Sequence, residues 1–317
     1  MSLLSWNCRG LGGTRTVREL LGFVTRQRPE FVFLMETKAS ASQVERVRVR
    51  LGFEGCINVD RVGIGGGLAL MWKVADMASL LDYSANHINV KVTLPGQPAW
   101  RLTCFYGFPE RSRRHDAWNL LRELKAQSDL PWVVIGDFND IASHAEKRGV
   151  NPHPDSLIRG FNDTLLDCGL SDLGMVGYEF TWERGRGTHR WVEERLDRAV
   201  ASGDWCEMYT GVSVYNLPSV TSDHSALNLV MEGGRIGRRT RGFRFESAWM
   251  LDANCKQVVE SAWGRQRGDT FQQKVARCGE ALRKWGGDYA QRFGRRLRGL
   301  LILLENLRGS YREADLT

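Results

Sequence analysis

Short runs of apolar residues, each followed by an acidic or amide side chain, recur along the first 230 residues of this 317-residue chain. The apolar run at 132–136 leads into Asp137, and the run at 31–35 leads into Glu36. A near-continuous apolar run of this length is typical of a β-strand that is covered on both faces. The predicted strands are residues 3–7, 31–36, 67–72, 88–94, 101–106, 132–136, 195–200 and 226–230.

The segments between these runs have the periodicity of amphipathic helices. In residues 14–28, the apolar side chains from Val17 to Val24 recur at helical spacing. Similar patterns predict helices over 111–126 and 156–168. Two neighbouring strands have the spacing of a hairpin, so a regular series of strand–helix–strand units is not predicted. We therefore expect an α/β fold in which two packed, mixed β-sheets are flanked by helices.

Several classes of protein are excluded by simple features of the sequence. No apolar stretch approaches the roughly 20 residues that span a bilayer. The N-terminus lacks the basic and apolar regions of a secretory signal. The seven cysteines are scattered and never spaced as Cys-x-x-Cys, which argues against a disulfide framework or zinc knuckle and for reduced thiols. We expect an intracellular protein that is not secreted and has no membrane contact.

Basic charge is concentrated in the last part of the chain. Residues 1–230, predicted to be one domain, hold 26 Lys and Arg against 27 Asp and Glu, whereas residues 231–317 hold 18 against 10. The Gly- and Arg-rich stretch 231–242 predicts a linker, and 243–317 a basic helical extension. The extension either attracts nucleic acid by neutralising phosphates or presents a solvated helical face. Its candidate helices are residues 253–263, 271–285 and 292–308.

Polar side chains with catalytic chemistry lie at or just beyond the ends of many predicted strands. Strand ends in packed sheets open onto one rim, where α/β proteins place their sites. Hydrolysis of a phosphodiester needs a hard cation held by oxygen ligands, a positioned water and donors for the developing negative charge. The residues that supply these groups are Asn7, Glu36, Tyr106, Asp137, Asn139, Asp197, Asp223 and His224.

Each of these residues also has an ordinary structural explanation when it is considered alone. An acidic residue such as Glu36 is usually a solvated strand end, and an asparagine such as Asn139 is usually a turn residue. Asp197 can pair with a neighbouring arginine, and an isolated His224 is usually a surface or core residue. The prediction of a catalytic site therefore depends on the ordered set.

Five short motifs resemble those of the endonuclease/exonuclease/phosphatase superfamily, both in their sequences and in their order along the chain. The resemblance covers essentially all of residues 1–230 and is closest to the endonuclease domain of plant non-LTR (LINE-type) retrotransposon polyproteins. A further likeness at 244–246 and 249 is to the stretch that these polyproteins carry before their reverse transcriptase. The motifs are residues 6–10 (Trp-Asn-Cys-Arg-Gly), 34–38 (Leu-Met-Glu-Thr-Lys), 136–139 (Gly-Asp-Phe-Asn), 195–198 (Arg-Leu-Asp-Arg) and 222–224 (Ser-Asp-His).

This resemblance implies a four-layered α/β sandwich with Mg²⁺, or alternatively Mn²⁺, at one rim. Glu36 would be the principal metal ligand, with Asn7 and Asp223 close to the same ion or its waters. Trp182 follows Phe and Thr where related nucleases place an aromatic side chain near the substrate. Trp182 and Arg9 are therefore candidates for substrate contacts, with a core role as the alternative for Trp182.

The resemblance also implies roles for the other residues. Asp137 would orient or deprotonate the attacking water, and Asn139 would bond to Asp137 or to the scissile phosphate. His224 would contact the phosphate, and Asp197 would hold the imidazole in its tautomer. Tyr106 would donate to a phosphate oxygen. The sequence leaves open whether Asp137 or His224 is the base.

One motif departs from the pattern of the family. Its nucleases often read Tyr-x-Pro-Asn, whereas residues 106–110 read Tyr-Gly-Phe-Pro-Glu, one residue longer and ending in glutamate. Tyr106 keeps its predicted role, and Glu110 is given none.

We therefore expect a metal-dependent hydrolase that nicks DNA, of retrotransposon origin, acting in the nucleus on chromosomal DNA. A downstream reverse-transcriptase region or a partner would pack on the C-terminal helices. Two alternatives keep the same chemistry, namely an abasic-site repair endonuclease and a phosphatase of the same fold. A non-enzymatic alternative is a decayed element that retains only nucleic-acid or protein binding.

Overall fold

The computed structural model describes residues 1–60, 66–232, 252–264, 274–275, 277–282 and 284–285. The chain divides into two units, Met1–Gly234 and Arg235–Thr317. In the second unit a helix runs over Ala253–Trp263, as the periodicity predicts, and the side chain of Asp252 caps its first turn. The predicted linker beyond residue 232 and the predicted helix at 292–308 lie outside the described residues. Of the predicted helix at 271–285, residues 274–275, 277–282 and 284–285 are described, and all of them are helical.

The first unit is built on two six-stranded mixed sheets. The first sheet has the order β14-β15-β1-β2-β4-β3, and its strands are β1 (Ser2–Asn7), β2 (Phe31–Met35), β3 (Gly55–Val59), β4 (Leu68–Trp72), β14 (Gly211–Leu217) and β15 (Ala226–Glu232). The second has the order β10-β13-β8-β7-β6-β5, and its strands are β5 (Ala78–Ser84), β6 (His87–Val92), β7 (Trp100–Tyr106), β8 (Trp132–Asp137), β10 (Leu170–Asp172) and β13 (Asp197–Ser202). A small third sheet joins β9 (Lys147–Arg148), β11 (Trp182–Arg184) and β12 (Val192–Glu194).

Helices cover the outer faces of the two large sheets. Apolar side chains of α1 (Thr14–Gln27) and α2 (Ala41–Leu51) pack on the first sheet, and those of α3 (Arg114–Ala126) and α4 (Asp155–Asp167) pack on the second. The predicted four-layered α/β sandwich is therefore confirmed. A further short helix of this unit is α5 (Gly203–Met208), and short 3₁₀ turns lie at Ala75–Met77, Arg111–Arg113 and His144–Glu146. The helix at Ala253–Trp263 in the second unit is α6.

The main core lies between the two large sheets, and β2 shows why its strands are almost wholly apolar. Phe31 and Phe33 point into the core between the sheets, whereas Val32 and Leu34 point towards α1 and α2. Successive side chains of a strand alternate between its faces, so a strand with two covered faces has no solvent-facing position. Each such large side chain contributes about 1.5–3 kcal/mol on burial.

Helix α2 and several shorter elements were not among the sequence predictions. Helix α2 has clear end signals, because Ser40 and Gln43 form a reciprocal capping box and Gly52 ends the helix with a φ of 70°. The edge strand β5 is largely exposed, so it lacks the continuous apolar run used to predict strands. Among the described residues, no helix has both the length and the apolar character required to cross a bilayer.

Gly136 lies where the backbones of β7 and β8 approach closely. Its φ is +152°, and a Cβ atom built on it would lie 1.9 Å from the carbonyl oxygen of Phe105. We expect Gly136→Ala to lower the free energy of unfolding by about 3 kcal/mol or more, because both backbones would have to separate. Gly203→Ala is the matched control, since a Cβ at that position meets no atom within 4 Å. Equal stability of the two variants in chemical denaturation would contradict this expectation.

Candidate active site

The predicted site residues meet at one rim because of the strand directions. Strands β1 and β2 run in parallel, so Asn7 at the end of β1 lies beside Glu36, which follows β2. Strands β7 and β8 are also parallel and place Tyr106 beside Asp137. Strand β13 runs antiparallel to β8 and begins with Asp197 opposite Asp137. The carboxyl ends of two parallel pairs, one from each sheet, therefore face each other.

His224 lies between two carboxylates at the centre of this rim. Its Nδ1 is 2.9 Å from Oδ2 of Asp197, and its Nε2 is 3.8 Å from Oδ2 of Asp137. All three side chains are buried. Burial lowers the pKa of His224, but the two carboxylates outweigh burial and raise it to about 9. A protonated imidazole between two carboxylates is therefore the favoured state at neutral pH.

Asp137 is held by groups from three separate segments. Its side chain accepts hydrogen bonds from Nδ2 of Asn7 at 3.0 Å and from the backbone N–H of Asn139 at 2.9 Å. Its own N–H faces Sδ of Met35 at 3.3 Å. The side chain of Asn139 donates instead to the carbonyl of Gly107 at 3.0 Å. Burial, and then the charge of the neighbouring carboxylate, raise the pKa of Asp137 to about 6, although the imidazole opposes this shift.

Glu36 is the acceptor for three donors. Nδ2 of Asn7 lies at 3.2 Å, the hydroxyl of Tyr106 at 3.0 Å and Nζ of Lys38 at 2.8 Å. Burial raises the pKa of Glu36, but the bond from Lys38 and other favourable contacts lower it overall. Burial and the nearby carboxylates raise the pKa of Tyr106 far above its usual range, so its hydroxyl stays a donor. Glu36 is therefore ionised at neutral pH.

Arg9 and Trp182 complete the cluster around Asp223. The Arg9 guanidinium is 3.0 Å from Oδ2 of Asp223 and 3.8 Å from Oε2 of Glu36. The indole N–H of Trp182 donates to the same Asp223 oxygen at 3.1 Å. The residues that the structure brings together are all those predicted for the site: Asn7, Arg9, Glu36, Tyr106, Asp137, Asn139, Trp182, Asp197, Asp223 and His224.

Two groups of side chains could hold a divalent metal. Asp137, Asp197 and His224 have ligand atoms within 4.8 Å of one another. In that group both ring nitrogens of His224 already face carboxylates. At the outer rim, Oδ1 of Asn7 and Oδ1 of Asp223 are buried and have no hydrogen-bond partner. Unpaired carboxylate and amide oxygens beside an ionised Glu36 fit a hard cation, so the outer group fits better.

Thr181 is a site residue that the sequence analysis did not identify. Its hydroxyl is buried and accepts from the backbone N–H groups of Leu196 and Asp197, at 3.0 and 2.9 Å. These bonds fix the start of β13 and thereby the carboxylate that faces His224. The sequence signal for this residue is the Phe-Thr-Trp motif at 180–182, from which only a role for Trp182 was predicted.

Unusual backbone conformations are concentrated at this rim. Among the described residues, the non-glycine positions with positive φ are Arg28, which ends α1, and four residues at the site. Such conformations cost free energy and persist where the surrounding structure imposes them. The four are Arg9 (48°), Glu36 (48°), Lys38 (47°) and Asn139 (56°).

Arg198 forms a buried ionic network next to Asp197. Its guanidinium is fully buried and donates to Glu146 at 2.7 Å and to Asp172 at 2.8 Å. Arg195 bonds to the same two carboxylates. Although burial alone would raise the pKa of Glu146 and of Asp172, Arg198 lowers both. The network ties β13 to β10 and to the turn before β9.

A family model described as the Endonuclease/Exonuclease/phosphatase family matches residues 4–224. The chain belongs to this family. Its members hydrolyse phosphoester bonds, and the fold is typically dependent on a divalent metal. A comparison with curated proteins found no match.

Solved structures of nucleases have a similar fold. A 3′-5′ exonuclease from Neisseria meningitidis has a TM-score of 0.57 at 17% identity, covering 74% of this chain and 100% of that chain. An AP endonuclease from Archaeoglobus fulgidus has a TM-score of 0.58 at 15% identity, with the same coverage. The endonuclease domain of TRAS1, a telomere-specific non-LTR retrotransposon, has a TM-score of 0.54 at 16% identity, covering 73% of this chain and 98% of that domain.

The network around Arg198 makes stability depend on pH with a definite sign. The pKa values of Glu146 and Asp172 lie below their ordinary values of 4.5 and 3.8, so the network stabilises the fold above those values and loses this contribution as pH falls. Arg198→Met removes the buried partner of Glu146 and Asp172 and leaves Arg195 as the one remaining arginine bonded to both. It should cost about 3 kcal/mol at pH 7, because two largely buried carboxylates would then share a single cation. At pH 4 the deficit should shrink, because protonation of Glu146 and Asp172 in the variant relieves the excess negative charge.

Unfolding free energies measured by denaturant titration at both pH values check this expectation. Arg122→Met is the matched control, because Arg122 pairs with Asp167 on the surface. Its loss should cost at most about 1 kcal/mol. A deficit for Arg198→Met that grows as the pH falls would contradict the assigned sign.

Proposed function

We propose that this protein is a Mg²⁺-dependent endonuclease that nicks one strand of DNA by hydrolysing a phosphodiester bond. The observation that carries the proposal is the pairing of two groups at one rim. A charged imidazole lies between Asp137 and Asp197, and beside it the ionised Glu36 lies next to unpaired oxygens of Asn7 and Asp223. The first group suits proton transfer and charge stabilisation, and the second suits a hard cation.

Glu36, Asn7 and Asp223 would hold the ion. A bound Mg²⁺, or alternatively Mn²⁺, would supply a Lewis acid for the phosphate oxygens. In the structure Arg9 spans the carboxylates of Glu36 and Asp223, and Lys38 also contacts Glu36. These cations compensate the acidic charge of the rim, and both side chains are partly exposed, so they would be accessible to a phosphate.

The remaining residues have roles that follow from their contacts. Asp137, whose pKa is raised to about 6, would orient and deprotonate the attacking water, since a base is most effective with a pKa near the working pH. The protonated His224 would stabilise the negative charge that develops on the phosphate. Asp197 keeps the imidazole charged and oriented. Tyr106 would turn its hydroxyl to a phosphate oxygen, and Asn139 positions Asp137 through its backbone.

A basic loop at 184–190, beside the site, supports DNA as the substrate. Strand β11 begins at Trp182, whose indole contacts Asp223, and the hairpin to β12 exposes every residue from Arg184 to Arg190. The loop holds Arg184, Arg186 and Arg190, so positive charge extends outwards from the catalytic rim. A structural relative, the Neisseria 3′ phosphatase NExo, is described as bound to a product DNA hairpin. Arginines on an exposed loop neutralise phosphates of the backbone.

The proposed origin is a plant LINE-type retrotransposon, with action in the nucleus before reverse transcription of the nicked site. The motif wording supports it, together with the likeness to the TRAS1 endonuclease domain. An abasic-site endonuclease and a phosphoester phosphatase remain the enzymatic alternatives. The departure at residues 106–110 from the Tyr-x-Pro-Asn wording argues against the repair enzyme. Intact plasmid, an abasic duplex and a small phosphomonoester separate the three activities.

A plasmid-nicking assay tests the proposed chemistry. With Mg²⁺ the purified protein should convert supercoiled DNA to open circles, and EDTA should stop the reaction. Glu36→Ala and Asp137→Ala should each lower the rate by at least about 10²-fold, because they remove a metal ligand and the group that orients water. The measurement is the first-order rate of loss of supercoiled DNA.

Matched carboxylate variants control for general effects of charge. Glu45→Ala removes an exposed glutamate on α2, and Asp167→Ala removes an exposed aspartate at the end of α4. Both should nick at the parental rate. The proposal fails if the Glu36 and Asp137 variants nick as fast as these controls, or if an abasic duplex or a phosphomonoester is cleaved while intact plasmid is not.

The hairpin is tested through the salt dependence of DNA binding. Arg184→Ser with Arg190→Ser should weaken binding and reduce the slope of log affinity against log salt by about 1–2, since each lost phosphate contact removes about 0.9. A double control, Arg46→Ser with Arg50→Ser on α2, removes the same charge from another exposed surface. Equal slopes for the two double variants would show that the hairpin does not contact DNA.

A further inference from the structure

The segment that carries Asp223 and His224 is a surface connection between β14 and β15. It begins after Leu217 and ends before Ala226, and Val220 at its tip is 91% exposed. An exposed connection of this kind has little apolar contact to fix it, so its hydrogen bonds must determine its conformation. The donors of this segment therefore indicate what positions the two site residues.

A single carboxylate on α1 accepts hydrogen bonds from this tip. Oε1 of Glu19 accepts the backbone N–H of Val220 at 2.8 Å, and Oε2 accepts the N–H of Thr221 at 3.1 Å. Oε2 also accepts the hydroxyls of Ser219, at 3.2 Å, and of Thr221. Bonds to an ionised acceptor are roughly twice as strong as neutral ones. The Glu19 carboxylate thus holds the tip through two backbone N–H groups and two hydroxyl groups.

Ser222, the next residue of this segment, forms hydrogen bonds to the catalytic rim. The hydroxyl of Ser222 donates to the backbone carbonyl of Asn7 at 2.7 Å and accepts the N–H of His224 at 3.1 Å. The N–H of Ser222 donates to the hydroxyl of Ser219, which itself bonds to Glu19. A continuous chain of hydrogen bonds therefore leads from α1 to His224.

We propose that Glu19 is a positioning residue for Asp223 and His224, acting through residues 219–222. This inference rests on the proposed function, because it concerns how two side chains of the same site are held in position. Glu19 touches neither the rim nor any group assigned to the substrate. Its effect is on where the imidazole and the Asp223 carboxylate lie, and a displacement of about 1 Å can lower a rate by about 10²-fold.

Glu19→Gln tests the proposal while keeping the size of the side chain. An amide has one acceptor oxygen in place of two, and its NH₂ group would face backbone N–H donors. At saturating Mg²⁺ and plasmid, we expect kcat to fall by about 10- to 100-fold, with KM changed by less than about threefold. Glu45→Gln on α2 is the matched control and should keep the parental kcat.

A second variant tests whether Glu19 acts through the tip of the segment. Thr221→Val removes one of the hydroxyls that bind Glu19 and should lower kcat in the same direction. The double variant should be no slower than Glu19→Gln alone, because both changes break one chain of bonds. The proposal is overturned if Glu19→Gln keeps the parental kcat. It is also overturned if the fold-loss of kcat in the double variant equals the product of the fold-losses in the two single variants.

Backbone amide exchange and the imidazole resonances of His224 give a readout that does not require nuclease activity. Glu19→Gln should speed hydrogen exchange at Val220 and Thr221 and shift the His224 signals, while Glu45→Gln changes neither. If the parent does not nick DNA, the proposed function fails, and these signals still decide the role of Glu19. Unchanged exchange and an unchanged imidazole would overturn the positioning role even in an active nuclease.

Discussion

Charge compensation among Asp137, Asp197 and His224 is the constraint on which the arrangement of the rim depends. Burying one carboxylate without a partner costs several kcal/mol, and burying two side by side costs more. The imidazole between them removes most of that cost, and their charges in turn keep it protonated. The three groups come from β8, β13 and the connection before β15, so this compensation requires that both sheets end at the same place.

The packing of the two sheets provides that alignment. The parallel pairs β1–β2 and β7–β8 lie in different sheets, and their inner faces share one apolar core. The bond from Nδ2 of Asn7 to Asp137 and the contact of Met35 with the N–H of Asp137 both cross between the sheets. A shift of β1 or β2 by a single residue in its pairing register would turn the inward side chains of that strand outwards and would break its contact with Asp137. The core therefore fixes the site geometry as well as the stability.

The sequence predicted the parts of this arrangement that depend on composition and order, and missed those that depend on turns. Strands such as β2 and β8 were predicted because both faces are covered, whereas β5 and the short strands β9 to β12 carry no such run. The site residues were predicted from their chemical types and from the order of their motifs along the chain. The supports at Thr181 and Glu19 were not, because each bonds to backbone groups whose positions are set by distant turns. No periodicity encodes such a contact.

The near-zero net charge of residues 1–230 conceals a local separation of positive and negative charge. Residues 1–230 are almost neutral, yet the arginines of the 184–190 loop are exposed beside an acidic rim. A polyanion would be attracted to the loop and repelled by the rim, unless a divalent cation reversed the sign of the rim. Arg9 and Lys38 offset charge on Glu36 and Asp223, while His224 pairs with Asp137 and Asp197. Binding of the metal and of the phosphate would therefore be cooperative, since each removes the repulsion that opposes the other.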